Sequence, residues 1–290
     1  MELAKSVLEE TLRSFLREDL GYGDITTDSL VNPETQGTAT VLCNEPAVIS
    51  GLWEGQALLE IAGCKGSPVV EEGKRVTAGA EIINASGPAG SLLKVERTLL
   101  NILSHMSGVT TATSELVEVA RREGAGKIRI ACTRKTLPGL RYFEKRAVAV
   151  GGGDTHRLRL DDAVLIKDNH LAIGGTITEC IKKTRARVSF TKKIEVEVVD
   201  PDQALEAAKA GADIILLDNM RTDQIEEAVN LLRKENLRER IILEASGGIR
   251  KDNLVAYLRT DVDVVSLGAI THSAKSIDMS MNIMPVKRRR

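Results

Sequence analysis

Residues 194–219 decide the fold: Ile194-Glu-Val-Glu-Val-Val-Asp-Pro-Asp-Gln-Ala-Leu-Glu-Ala-Ala-Lys-Ala-Gly-Ala-Asp-Ile-Ile-Leu-Leu-Asp-Asn219. Ile194–Val198 is a β-branched run of strand length. Asp200 and Pro201 are an N-cap and a first helical residue, and an amphipathic pattern follows as far as Gly211, a residue suited to a helix end. Asp213–Leu217 is a second apolar run. A strand, a helix and a strand in so short a space form a βαβ unit, which joins parallel strands. Working outward, similar short runs occur at Ile128–Cys132, Ala163–Ile166, Ile241–Ala245 and Val262–Leu267. Helical patterns lie between most of them, and such alternation means a parallel sheet or barrel.

Upstream the period changes. Leu3, Val7, Leu8, Leu12, Phe15 and Leu16 recur at helical spacing before the loop Gly21-Tyr22-Gly23. Thr38–Cys43 and Ala47–Ser50 read as short strands, Trp53–Ala62 as a helix, and Val69–Ala85 as further strands with glycine punctuation. This first third is a compact α+β unit. From Ser91 a helical pattern runs to about Gly124, with a break expected at Ser107-Gly108, where the domain boundary is placed. The expected domains are 1–107 and 108–275, with 276–290 returning to the first.

Composition narrows the function. The 290 residues carry 40 Lys+Arg against 41 Asp+Glu, a net charge of −1, which argues against a basic nucleic-acid binder. One Trp, three Tyr and three Phe are too few for a base-stacking platform, so the core must be aliphatic. Cys43, Cys64, Cys132 and Cys180 show no C-x-x-C pair and are expected to be reduced and buried. The first residues read as an acidic amphipathic helix rather than a leader, and the longest charge-free stretch, Thr98–Ser114, is too polar to span a membrane. A cytoplasmic protein is expected. Lys287–Arg290 reads as a frayed basic end.

The polar residues fall where the strands stop. Thr133-Arg134-Lys135, Lys167-Asp168-Asn169-His170, Asp218-Asn219, Ser246-Gly247-Gly248 and Gly268-Ala269 follow five of the runs, and Glu197 lies within a sixth. A barrel would gather all six on the rim where such enzymes keep their active sites. Charge is sorted by sign as well: residues 127–170 hold ten Lys+Arg against five acids, and residues 195–227 hold ten acids against Lys209 and Arg221. Arg134, Lys135, Arg157 and Lys167 imply a multiply anionic small substrate, because guanidinium forks bind carboxylate or phosphate bidentately. Glu197 and Asp218 could hold a divalent cation or accept from sugar hydroxyls. The glycine motifs at the last two strand ends suit phosphate on backbone N–H groups. Gly151-Gly152-Gly153 is a turn delivering His156 and Arg157, and His156 could donate to a substrate carboxylate. For His170 and His272 a plain hydrogen bond on the rim serves as well as a ligand role. Neither a zinc spacing nor a nucleophile elbow is present.

Nine strings together resemble one family. They are Glu18–Thr27 (E-D-L-G-Y-G-D-I-T-T), Glu96–Gly108 (E-R-T-L-L-N-I-L-S-H-M-S-G), Thr133–Arg141 (T-R-K-T-L-P-G-L-R), Gly151–Leu160 (G-G-G-D-T-H-R-L-R-L), Leu165–His170 (L-I-K-D-N-H), Glu195–Glu197 (E-V-E), Leu216–Asn219 (L-L-D-N), Glu244–Ile249 (E-A-S-G-G-I) and Ser266–Ser273 (S-L-G-A-I-T-H-S). In order and spacing they resemble the quinolinate phosphoribosyltransferases over about residues 18–282. The resemblance implies an α/β enzyme with an N-terminal α+β sandwich domain and a C-terminal incomplete (β/α) TIM-like barrel. It implies a homodimer in which Arg97 is contributed to the neighbouring subunit's site. The implied reaction joins quinolinate to 5-phosphoribosyl 1-pyrophosphate with Mg²⁺, giving nicotinate mononucleotide, CO₂ and pyrophosphate, a step of NAD biosynthesis.

By the same resemblance, Arg97, Thr133, Arg134, His156 and Arg157 surround the quinolinate carboxylates, and Lys135 and Lys167 serve both substrates. Glu197 and Asp218 face the ribose and the Mg-pyrophosphate, with no direct protein ligand to the metal. Ser246, Gly247 and Gly248 with Leu267, Gly268 and Ala269 bind phosphate; Lys135, Glu197 and Asp218 are the expected catalytic residues. Cys132 and Tyr142-Phe143-Glu144-Lys145 depart from the usual pattern, which bears on substrate affinity. Three rivals stand beside this reading: a paralogue resembling the molybdenum-transport-associated relatives with another acceptor, a non-catalytic anion-binding protein, and a Schiff-base aldolase using Lys135 or Lys167.

Overall fold

The computed structural model describes residues 3–286; the basic end Lys287–Arg290 lies outside the described residues. In chain order the elements are α1 (Lys5–Leu20), α2 (Ile25–Leu30), β1 (Gln36–Cys43), β2 (Ala47–Val48), α3 (Leu52–Ile61), β3 (Lys65–Pro68), β4 (Arg75–Val76), β5 (Ala80–Pro88) and α4 (Ala89–Arg122). Then follow β6 (Arg129–Ala131), α5 (Arg141–Val150), β7 (Val164–Ile166), α6 (Asp168–Gly174), α7 (Ile177–Arg185), β8 (Ile194–Val198), α8 (Pro201–Lys209), β9 (Ile214–Asp218) and α9 (Thr222–Lys234). The last are β10 (Ile242–Ser246), α10 (Leu254–Leu258), β11 (Val264–Ser266), α11 (Ala269–His272) and β12 (Met279–Pro285).

Two compact units share this chain. Among the described residues the first unit comprises those up to Ser114 together with Tyr142–Gly151 and 274–286; the second comprises Glu115–Arg141 and Gly152–Ser273. The division therefore differs from the expected cut at 107/108, because α5, which interrupts the βα series, packs with the first unit.

In the first unit an antiparallel sheet runs β12-β1-β5-β3. β1 is its hub, with Val41 facing Met281 on one side and Ile83 on the other. Leu8, Leu12 and Leu16 of α1 are buried, as are Leu92, Val95, Leu99, Leu103 and Met106 of α4, at spacings of three and four that mark one helix face. Each such burial stabilises by about 1.5–3 kcal/mol. α4 runs unbroken from Ala89 to Arg122, against the expected break at Ser107-Gly108. Gly108 serves packing instead: a Cβ there would lie 2.1 Å from the Lys275 carbonyl oxygen, so only glycine lets the returning chain cross the helix. On α5, Arg146 Nε donates to buried Glu54 at 2.5 Å and its Nη2 donates to Glu72 at 3.4 Å. Tyr142 Oη donates to the same Glu54 oxygen at 3.2 Å.

In the second unit six parallel strands run β6-β11-β10-β9-β8-β7. Read around a circle this is chain order with one gap, between β6 and β7, which makes the barrel incomplete. The residue at that gap is Asp154: its N–H donates to Ile130 O at 2.7 Å and its carbonyl accepts the Cys132 N–H at 3.0 Å. Asp200 caps α8 by accepting the Gln203 N–H at 2.8 Å, with Pro201 at the first helical position. At alternate positions β8, β9 and β10 carry Glu195, Glu197, Asp218, Glu244 and Ser246 beside the aliphatic Ile214, Leu216 and Ile242. All four cysteines are buried, and none is in a disulfide. No helix among the described residues is long and apolar enough to cross a membrane.

Candidate active site

At the carboxyl ends of the barrel strands lies a cavity of about 230 Å³. Its wall brings together Thr133, Arg134, Lys135, His156, Arg157, Lys167, Glu197, Asp218 and Ser246, which were scattered over more than a hundred positions of sequence, and adds Leu165, Leu216 and Glu244. Gly247, Gly248, Leu267, Gly268 and Ala269 are not in that wall, and Arg97 is exposed on α4 in the first unit.

One side of the cavity is cationic. Thr133 Oγ1 accepts the Lys135 N–H at 3.1 Å, a local turn that presents Arg134 between them. Arg134 Nε is buried with no hydrogen-bond partner. Arg157 donates from Nη1 to Ala163 O at 3.3 Å, and burial followed by the charge of Arg134 pushes its pKa down, against the pull of Glu195. Two guanidiniums in mutual repulsion, one with an unmet buried donor, form a site that an anion completes. Lys167 closes the row, its Nζ donating to Glu197 Oε2 at 2.6 Å, while its own N–H is accepted by His170 Nδ1 at 3.0 Å.

The opposite side is acidic and tied down by backbone. Asn219 Nδ2 donates to Asp218 Oδ2 at 2.8 Å, and the Asn219 N–H donates to Ser246 O at 2.8 Å. Asn219 sits at φ 54° and Gly247 at φ 89°, and a Cβ on Gly247 would lie 2.5 Å from Asn219 Oδ1, so glycine is required for the two strand ends to interlock. Ser266 and Ser246 share a hydrogen bond of 2.9 Å between their hydroxyls. Gly268 lies against Lys135: a Cβ would stand 3.0 Å from its Cδ, while Thr271 Oγ1 donates to Lys135 O at 2.8 Å. The second glycine motif thus positions a lysine of the cavity wall.

His156 is held differently from expectation. Both ring nitrogens meet protein partners: Nδ1 accepts the Arg157 N–H at 2.8 Å, and Nε2 lies 3.1 Å from Glu244 Oε2 and 3.6 Å from Glu195 Oε1. Burial raises the Glu195 pKa, with His156 opposing. Sequence reasoning quoted both glutamates without giving them a role. The available signal was period: Glu195 lies two residues from Glu197 on a strand and so shares its inward face.

An α/β barrel with a polyanion cavity on its carboxyl rim and a separate α+β unit defines the class of small-molecule enzyme at hand. Comparison gives the family. Residues 24–107 match the N-terminal domain of quinolinate phosphoribosyl transferase, and residues 109–282 its C-terminal domain. The probable nicotinate-nucleotide pyrophosphorylase [carboxylating] of Methanothermobacter thermautotrophicus is 44% identical over 278 residues, covering 96% of this chain and 99% of that protein. The nicotinate-nucleotide pyrophosphorylase [carboxylating] of Mycobacterium leprae is 39% identical, covering 94% and 96%. The crystal structure of NadC from Streptococcus pyogenes superposes with a TM-score of 0.91 at 37% identity, covering 99% of this chain and 100% of that one. The chain belongs to the quinolinate phosphoribosyltransferase family.

Proposed function

We propose that the chain transfers the phosphoribosyl group of 5-phosphoribosyl 1-pyrophosphate to the ring nitrogen of quinolinate with loss of one carboxylate, yielding nicotinate mononucleotide, pyrophosphate and CO₂ for NAD biosynthesis. The observation that carries this reading is the Arg134–Arg157 pair, two forks with an unmet buried donor on one wall. Quinolinate presents two adjacent carboxylates, and clamping both is work for several cations at once. Lys135 and Lys167 extend the cationic row toward the acidic side.

Departure of pyrophosphate leaves positive charge on the ribosyl carbon, and Glu197 and Asp218 can stabilise that charge without forming a covalent adduct. The quinolinate nitrogen attacks that carbon and becomes a pyridinium. This ring is an internal electron sink: the C2–carboxylate bond breaks, its electron pair stays at C2 beside the cationic nitrogen, CO₂ leaves and a proton takes its place. The protein's part is to orient the ring, which Arg134 and Arg157 do from the carboxylate side. Neither pyridoxal phosphate nor thiamine is needed.

Magnesium fits as a companion of the pyrophosphate. Glu197 is already engaged by Lys167 and Asp218 by Asn219. Among the described residues only His156, Glu195 and Glu244 bring three ligand-type side chains together, and neither Glu197 nor Asp218 belongs to that group. A cation held mainly by phosphate oxygens and water, with these two carboxylates nearby, suits Mg²⁺, which keeps several waters and needs no protein cage. Arg97, exposed on α4, would complete the clamp in a partner subunit's site, a reading supported by the family resemblance.

The test offers quinolinate and nicotinate in parallel to the purified protein with Mg²⁺ and phosphoribosyl pyrophosphate. Turnover of quinolinate alone, with one CO₂ per nucleotide formed, is expected. Turnover of nicotinate, or of neither despite tight phosphoribosyl pyrophosphate binding, would move the chain to a different acceptor.

A further inference from the structure

Below the rim the barrel carries two glutamates in a layer where branched aliphatic residues usually stand. Glu195 lies two residues deeper in β8 than Glu197, and Glu244 two residues deeper in β10 than Ser246, each on the same inward face as its partner. Across the sheet Glu195 pairs with Ile214 and Ile214 with Ile242, so Glu244 is two positions further along. Strand tilt turns that offset into one level, and alternate strands share a layer. Both carboxylates reach His156 Nε2. Glu195 is 1% and Glu244 2% exposed, and Oε1 of each lacks a hydrogen-bond partner.

One imidazole and two carboxylates have the make-up of a cation site, and the far side of the ring decides against it. Nδ1 accepts the Arg157 N–H and so carries no hydrogen, which leaves the ring's hydrogen on Nε2. Nε2 therefore has no lone pair for a metal and can only donate, toward the glutamates. The residue is also held in the left-handed region at φ 52°, with Asp154 Oδ1 accepting its N–H at 2.8 Å. A backbone kept in that region reflects surroundings that over-determine it. An anionic pyridine substrate gains nothing from two more carboxylates, whereas the cation beside them does.

We propose that Glu195 and Glu244 are positioning residues of the carboxylate clamp: by keeping the His156 hydrogen on Nε2 they leave Nδ1 to fix the Arg157 backbone, and so aim Arg157 at a substrate carboxylate. This role rests on the quinolinate reading above. Glu244→Met keeps side-chain length and removes the acceptor, while Glu244→Gln restores an acceptor without the charge. The methionine variant is expected to raise KM for quinolinate about tenfold, with kcat and KM for phosphoribosyl pyrophosphate changed by less than about threefold, and the glutamine variant to recover most of the loss. Equal losses toward both substrates, or a glutamine variant no better than methionine, would overturn the proposal. Nitrogen-15 spectra of the wild-type imidazoles supply a second readout that needs no variant to fold: at neutral pH Nε2 of His156 should be protonated and Nδ1 pyridine-like, and a pyridine-like Nε2 or a doubly protonated ring would overturn the proposal. Should wild-type protein bind no quinolinate, the substrate reading fails, and the imidazole spectrum still decides whether the triad exists.

Discussion

Arg134 and Arg157 carry like charges on one cavity wall, and the charge of Arg134 works against that of Arg157. Removing Arg157 should therefore be felt by the dicarboxylate and not by the sugar phosphate. Arg157→Ala is expected to raise KM for quinolinate about 100-fold, in keeping with truncation of one partner of a desolvated charge pair, while KM for phosphoribosyl pyrophosphate moves less than about threefold. Steady-state kinetics with each substrate varied in turn checks this, and equal losses would refute the assignment. Asp218→Asn keeps the shape of the rim and removes the charge proposed to face the ribose, so turnover should fall about 100-fold with little change in either KM. At this scale the sequence was informative about which residues face the cavity, because strand ends and side-chain alternation are local. It was silent about the partners of His156, which come from β8 and β10, far away along the chain.

At the scale of elements, six strands and their helices were legible from β-branched runs, caps and glycines, with boundaries shifted by one or two residues. β8 runs Ile194–Val198 as read, whereas β11 is Val264–Ser266, shorter than the run Val262–Leu267. The misreading of α4 has a physical cause. Serine and glycine in mid-helix look like a break by propensity, while the reason for Gly108 is a chain segment more than 160 residues later that crosses over it. This yields a prediction of sign. Helix propensity alone says that Gly108→Ala stabilises by about 1 kcal/mol, whereas the close approach of Lys275 says that it destabilises by about 1–3 kcal/mol. Thermal unfolding should show the destabilisation. Gly247→Ala, at a positive φ and against Asn219, should weaken phosphoribosyl pyrophosphate binding more than it lowers stability, as measured by calorimetric titration beside a melting curve.

At the scale of the whole molecule, Arg97 and the cavity residues belong to different units, and the proposed dimer makes a stringent test possible. Arg97→Ala and Lys135→Ala should each be nearly inactive alone. Co-expressed, they should regain about a quarter of wild-type activity, since half of the randomly formed dimers would own one intact site. No recovery would remove the shared-site reading. Within the first unit the Glu54–Arg146–Glu72 cluster should make Arg146→Met costly, by about 3–5 kcal/mol in denaturant unfolding, because buried Glu54 and half-buried Glu72 would lose the cation between them. That helix α5 packs in the first unit was not legible, since its Arg141–Val150 pattern fits the βα series around it equally well.

The pairing of β12 with β1 has a bearing on synthesis. The ribosome makes β1 well before its partner β12, with all six barrel strands in between, so at roughly 5–20 residues per second β1 waits on the order of tens of seconds. Throughout that time one flank of β1 offers unpaired N–H and C=O groups to any neighbouring nascent chain. The second unit can be complete while the first still lacks a strand, so the part of this protein that leaves the ribosome first is the part that finishes folding last.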